Sequence, residues 1–227
     1  MADSAERAAT ARAEEVFARA RALTGMSVAA VAHAIGRAPP AGGVSTKGRV
    51  GELVEQALGA TGGSGARKVD FPEIGIELKT IPVDERLRPH ESTFVCAVDL
   101  GEEVDWDASW ARKKLSCVLF VPVVGERTTP LPARVFGAPS LWRPTPDQEA
   151  QLRADYDDIM GLVGIGRMED VSAHLGRYMQ LRPKARDGSA RTIVAGREGE
   201  RIATVPRGFY LRPSFTGAIL AAPAALP

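Results

Sequence analysis

Apolar residues recur at helical spacing through residues 4–24, where Ala9, Ala13, Val16, Phe17, Ala20 and Leu23 line one face among Ala, Glu and Arg. That period predicts an amphipathic helix, with Gly25 as its stop. Val28 to Ala34 has the length of a second short helix or a turn, and Pro39, Pro40, Gly42 and Gly43 mark a loop. Thr46 is placed to cap a helix beginning near Lys47, with Val50, Leu53, Val54 and Leu58 as its apolar stripe and Gly59 as its exit. After the connector Thr61-Gly62-Gly63-Ser64-Gly65 the period changes. From Val69 to Val83 the chain reads V-D-F-P-E-I-G-I-E-L-K-T-I-P-V. Here Ile74, Ile76 and Leu78 fall on one face of a strand, and Glu77 and Lys79 on the other. Ser92 to Val98 and the continuous apolar run Ser116 to Val124 read as further strands. Between them, Trp106 to Leu115 reads as a short helix edged by Arg112, Lys113 and Lys114. Thr145-Pro146-Asp147-Gln148 is a capping-box start with Pro at the first helical position. Its helix is expected to reach about Gly164, with Leu152, Tyr156, Ile159, Met160 and Val163 inward and the acids outward. Strands are expected at Tyr178 to Leu181, Arg201 to Val205 and Gly208 to Leu211, with a loop from Arg182 to Gly188. Ser214 would cap a last helix through Leu220, before a loose Ala/Pro tail. Helices and strands are therefore both expected along the chain.

A chain of 227 residues fits one large domain or two small lobes and can bury a sizeable core. Net charge is +1, so global charge announces no nucleic-acid partner and any basic surface must come from local segregation. Such segregation exists. Residues 176–213 hold nine basic and three acidic side chains, a local balance of +6, with aromatic residues interleaved. That suits phosphate contact and base reading, and equally a charge-rich solvated face. Cys96 and Cys117 lie in apolar runs and are expected to be buried free thiols. No run of about 18 apolar residues occurs and the N-terminus is charged rather than signal-like, so a soluble cytoplasmic protein is expected. There is no internal repeat, no phosphate loop and no zinc spacing. His33, His90 and His174 are isolated, so Ser/His/acid catalysis has no support.

The chemistry concentrates in residues 69–83. Pro72 and Gly75 allow the chain to double back, which would bring Asp70 to Glu77 and Lys79. Two carboxylates and an ammonium suit metal-assisted phosphodiester cleavage, since magnesium takes hard oxygen ligands. A hairpin with a solvated salt bridge is the plainer alternative. Glu55 lies one turn before Gly59, so the connector could carry it toward Asp70, or leave it a solvated helix acid.

The blocks KGRVGELVEQALGATGGSG, DFPEIGIELKTIPVD, STFVC, LRPKA and ERIATVPRGFYL occur in that order within the span from Lys47 to Leu220. Together they resemble the MutH mismatch-repair endonuclease family. The resemblance implies the α/β (α+β) fold of type II restriction endonucleases, of the PD-(D/E)XK nucleases: a mixed central β-sheet flanked by helices, in two lobes around a DNA cleft. It implies one nuclease domain over residues 1–227, with an approximate catalytic lobe at 25–125 and a DNA-reading region at 176–213. The implied activity is magnesium-dependent nicking of the unmethylated strand 5′ to the G of hemimethylated GATC. Activation would come from MutL, with MutS acting indirectly, on a monomeric enzyme. Matched residue by residue, Asp70 and Glu77 fall on the metal-binding carboxylates, with the Leu78 carbonyl as a third ligand. Lys79 falls on the catalytic lysine and Glu55 on an additional active-site glutamate. Lys47, Phe94, Arg182, Pro183, Lys184 and Tyr210 fall on DNA-contacting positions, Tyr210 being the one associated with sensing the adenine methyl group. Two departures stand out. Ser116 occupies a lysine position of the family, leaving Lys113 and Lys114 as candidates to replace it, and the tail AAPAALP is less apolar than the family's helical ending linked to activation. A stand-alone restriction endonuclease of the same fold and a non-catalytic DNA-binding module are the competing readings.

Overall fold

The computed structural model describes residues 2–40, 48–62, 67–98, 100, 105–184 and 191–222. Expectations resting on Thr46, Lys47, the middle of the 61–65 connector and the last five residues lie outside them. The chain divides into two compact units. The first holds residues 1–91, 117–143 and 217–227, the second residues 92–116 and 144–216.

The first unit is built on a four-stranded mixed sheet. Strand β1 (Glu77–Val83) pairs in parallel with β3 (Val118–Val124), whose two halves pair antiparallel with β4 (Val135–Phe136) and β5 (Ser140–Trp142). Three helices supply the core: α1 (Ala2–Ala22), α2 (Val28–Ala34) and α3 (Arg49–Leu58). Their stripes Val16, Phe17 and Ala20, Val31 and Ala32, and Leu53, Val54 and Leu58 pack with Cys117, Leu119, Val121 and Val123 of the β3 segment. The other face of β3 is buried too, where Phe120 meets Trp142 with ring centroids 6.0 Å apart. Burial on both faces explains why β3 reads as an unbroken apolar run rather than an alternation.

The mixed α+β architecture agrees with the pattern, as do α1, α2 and both buried free cysteines. Helix α3 begins at Arg49, behind Gly48 in the left-handed region at φ +95°. Residues 70–76 form the turn that Pro72 and Gly75 allow, so that Ile74 and Ile76 precede the strand: Phe71 and Ile76 bridge each other, closing the chain over Pro72 and Gly75. Among the described residues no helix is long and apolar enough to cross a membrane.

In the second unit, β2 (Thr93–Ala97), β9 (Arg207–Leu211) and β6 (Met179–Pro183) form an antiparallel sheet in that order. Strands β7 (Thr192–Ala195) and β8 (Arg201–Thr204) form a separate hairpin, whose first strand the alternation did not disclose. Helices α4 (Trp110–Leu115) and α5 (Pro146–Gly164) pack on β2 and β6 respectively, and the last described helix is α6 (Pro213–Ala221), whose residues from Gly217 on are counted with the first unit. Serine 214 therefore sits inside that last helix rather than capping it. Trp106, Tyr156 and Phe209 stack through the core at centroid spacings of 5.5 and 5.2 Å, and burial pushes the Tyr156 hydroxyl up to about 12. The capping box of α5 forms as expected, Thr145 and Gln148 bonding each other's backbone.

One acid of α5 points the wrong way for the outward-acid expectation. Asp155 is only 2% exposed, and its oxygens accept hydrogen bonds from the amides of Arg177, Tyr178 and Met179 at 2.6–2.8 Å. It lies on the same stripe as Leu152, Tyr156 and Ile159 because the strand start packed there has amides that need an acceptor. Replacing Asp155 with Ala would leave the buried Met179 amide and the partly buried amides beside it without their acceptor, so urea denaturation should show a loss of about 3 kcal/mol.

Candidate active site

Three backbone elements converge at the outer edge of β1. Helix α3 brings Glu55, its other acid Glu52 staying exposed while Leu53, Val54 and Leu58 pack inward. The helix ends in a Schellman arrangement, with Gly59 at φ +73° donating to Gln56 and Ala60 donating to Glu55. That reversal sends the chain back at once, so the amides of Thr61 and Gly62 both reach the carbonyl of Asp70, at 3.1 and 3.0 Å. The backbone of Asp70 is thereby fixed beside the end of α3.

The side chain of Asp70 is fixed as well. The Glu77 amide donates to the Cys117 carbonyl of the neighbouring strand segment, so the amide and carbonyl of Leu78 turn the other way, to the edge of β1. There the Leu78 amide donates to Asp70 Oδ2 at 2.8 Å. Asp70, Glu77 and the Leu78 backbone therefore come together as the turn reading requires. Leu78 itself faces the helices, while Glu77 and Lys79 share the opposite face, where Lys79 Nζ meets Glu77 Oε1 at 2.5 Å. Glu77 is 1% exposed and Lys79 18%, so this is a desolvated ion pair, unlike the solvated salt bridge of the plainer alternative.

Electrostatics bind Glu55 to the same group. Its carboxyl is pushed above the ordinary value by burial first and then by Asp70, with Glu52 and Glu77 adding to the rise and Lys79 opposing it. Carboxylates that raise one another's affinity for a proton also suit a hard cation, which offsets their repulsion. Every available donor is an oxygen. Among the described residues, however, no three His, Cys, Asp or Glu side chains already stand at metal-ligand spacing. The donor chemistry fits magnesium, with Lys79 holding Glu77 in this state.

Sequence reasoning missed the brace behind this edge. Arg12, on α1, donates to the carbonyl of Gly59, to Glu73 Oε1 at 2.9 Å and to Glu15 Oε2 at 2.7 Å. It thus links the end of α3 to the turn that follows Asp70. Thr61 Oγ1 reaches the other oxygen of Glu73 at 3.0 Å. No local pattern could show this, since Arg12 and Glu73 are 61 residues apart.

In the second unit Phe94, Arg182, Lys184 and Tyr210 gather on one face of the sheet β2-β9-β6, while Pro183, opposite Arg207, falls on the other. Arg182 and Pro183 are the end of β6 rather than a loop, because their backbone pairs with Gly208 and Arg207 of β9, and Lys184 follows directly. The loop expected from Arg182 to Gly188 therefore does not include Arg182 and Pro183, and residues 185–190 lie outside those described. Phe94 is opposite Tyr210, their rings edge to face at 5.2 Å. Lys184 Nζ lies 4.0 Å from the Phe94 ring centre and Arg182 Cζ 5.9 Å from that of Tyr210, so two cations flank an aromatic pair. Ser92 Oγ accepts from both Arg182 and Gln180, which sets the guanidinium on this face. A bulge between Phe94 and Cys96 lets Phe94 stay outward while Cys96 turns into the core. Gly208 is required by this arrangement, since a Cβ there would stand 2.8 Å from the Phe94 ring and 2.9 Å from the Cys96 carbonyl. Ser116 ends α4 with its hydroxyl on the Lys113 carbonyl at 2.8 Å, and Lys114 lies over the Trp110 ring.

The sequence model described as DNA mismatch repair enzyme MutH matches residues 58–155. Proteins named DNA mismatch repair protein MutH are similar over 210 residues, 92% of this chain. That of Klebsiella pneumoniae is 47% identical with 90% of its own length covered, that of Serratia proteamaculans 46% with 92%, and that of Escherichia coli K12 44% with 91%.

The raised pKa of Glu55 has a consequence for stability. The folded state holds that proton more tightly than the unfolded chain, so the stabilising contribution is complete below the ordinary value near 4.5 and is lost as pH rises through the folded value. In metal-free urea titrations, Glu55→Gln should therefore exceed the parent chain in stability at neutral pH, with the gap closing toward acid. Equal stability of the two at every pH would mean that Glu55 is not held in this repulsive, desolvated place.

Proposed function

Because the chain belongs to the MutH family of DNA mismatch repair proteins, we propose that it is a magnesium-dependent endonuclease that nicks the unmethylated strand at hemimethylated GATC sites when MutL activates it. In this reading it is a cytoplasmic monomer and a single nuclease domain, with cutting residues within 25–125 and reading residues within 176–213. The observation that carries the proposal is the Asp70 carboxylate held on the Leu78 amide beside the buried Glu77–Lys79 pair. An ordinary surface hairpin has no reason to desolvate an acid and a lysine together.

Asp70, Glu77 and the Leu78 carbonyl would hold the magnesium, with Glu55 helping to hold a second ion or positioning water. Bound there, the ion offsets charge developing on the scissile phosphate and makes the attacking water more acidic. The protein's own part is orientation. The Leu78 amide aims Asp70, and β1 presents Glu77 and Lys79 on one face at neighbouring positions of the pleat. Lys79 orients the attacking water in line with the leaving 3′ oxygen, and its ammonium stabilises the anionic transition state. The product is a nick with a 5′ phosphate. Reading falls to Arg182 and Lys184, which suit guanine O6 and N7 in the major groove, while Tyr210 meets the adenine edge where a methyl group either fits or clashes.

Supercoiled plasmid incubated with magnesium, with and without MutL, tests the proposal. Open circles that accumulate with MutL support it. Linear product without MutL would indicate a stand-alone restriction enzyme, and uncut plasmid a binding module. Lys79→Ala should abolish nicking while leaving duplex binding by gel shift largely intact, and near-normal nicking would remove Lys79 from the chemistry. Tyr210→Ala should lower the ratio of unmethylated-strand to methylated-strand nicking without altering magnesium dependence. An unchanged ratio would count against Tyr210 as the methyl sensor.

A further inference from the structure

Arg207 opens β9 from a rigid backbone position. The Val98 amide donates to its carbonyl at 3.1 Å, it pairs across the sheet with Pro183, and the Lys184 amide donates to the preceding Pro206 carbonyl at 2.7 Å. Its side chain is partly buried, and the buried Nε has no hydrogen-bond partner among the described residues. Burial pushes the pKa of the guanidinium down, and among the described residues no carboxylate acts to raise it. Other arginines of the same unit behave ordinarily. Arg212 donates to the carbonyls of Ala173, Leu175 and Gly176, and Arg112 pairs with Glu149 and Asp107. A cation that loses water without gaining an acceptor is unfavourable, and such a donor is most simply explained by an anion that joins it later.

The position specifies the anion. Strand alternation puts Gly208 and Tyr210 on the face that carries Arg182, whereas Arg207 turns to the side of Phe209. It cannot join the row that would read base edges, yet it starts the same strand, within a segment of local charge +6. We propose that Arg207 holds a backbone phosphate of the duplex that Arg182 and Lys184 read, an inference that rests on the DNA-cutting function proposed above. The planar fork of Nε–H and Nη–H matches two phosphate oxygens at once, which a lysine cannot reproduce.

Fluorescence anisotropy in EDTA, where no strand is cut, provides the test. One labelled duplex carries a single hemimethylated GATC and a second of equal length has that site scrambled, each titrated over a range of NaCl. Arg207→Ala should weaken binding to both duplexes alike, on the order of tenfold, and lower the slope of log K against log salt by about one. Arg207→Lys should restore the slope but only part of the affinity. An unchanged slope and affinity in Arg207→Ala would overturn the proposal, and so would a loss confined to the GATC duplex, which belongs to a base contact. Should the alanine variant fail to fold, Arg207→Lys decides: weaker binding to both duplexes supports the phosphate contact and unaltered binding refutes it. Failure of the parent chain to bind either duplex would remove the nuclease reading itself, whereas parental binding with indifferent variants removes only this contact.

Discussion

The candidate catalytic edge depends on a single hydrogen bond, from the Leu78 amide to the carboxylate of Asp70. Without an acceptor, that amide would be an unsatisfied donor at the outer edge of β1, since the strand's other pairing side is taken by β3. Asp70 supplies the acceptor and is in turn drawn to the place where Glu77 and Lys79 emerge. The bond has to be held from behind, because Asp70 sits in a turn and not in a ladder. The amides of Thr61 and Gly62 hold its backbone, the reversal at Gly59 brings those amides, and Arg12 ties Gly59 to Glu73 of the turn. A carboxylate positioned in this way is paid for in local rigidity, and the half-buried Glu55 shows the electrostatic tension that concentrating acids creates.

The second unit solves a different problem, that of presenting cations on a sheet face without letting them wander. Arg182 is held by Ser92, and Lys184 and Arg182 lie over the Phe94–Tyr210 pair. The absence of a side chain at Gly208 gives the Phe94 ring its room. Asp155 anchors the start of β6 through the amides of residues 177–179, so the strand that ends in Arg182 and Pro183 has a defined origin. Pre-set side chains lose less entropy on engaging a ligand, which favours discrimination over raw affinity.

Much of this was legible in the order of residues. Short-range periodicity located α1, α2, α5, β1, β2 and β3, because a period of 3.6 or 2 is all that a helix stripe or a half-buried strand requires. The capping box at Thr145 was equally local. Misreadings occurred where a partner distant in sequence overrode a local cue. Asp155 was read as a solvated helix acid, yet the amides that claim it lie 22 to 24 residues away. The stretch from Arg182 reads as a loop, yet pairing with β9 continues through Pro183, whose missing amide is tolerated at the end of a strand.

The sequence by itself determined the α+β class, the alternation that sets Glu77 and Lys79 on one face, and the ordered blocks that place the chain in its family. Each is a property of neighbours, or of residue identity, and survives without knowing what packs against what. Tertiary structure alone decided that Asp70 reaches Leu78, that Arg12 braces a turn 61 residues away, that Asp155 points inward, and that the Nε of Arg207 is buried without an acceptor among the described residues. Those outcomes turn on which buried donors need acceptors, and that need arises only once the chain has closed and water has left.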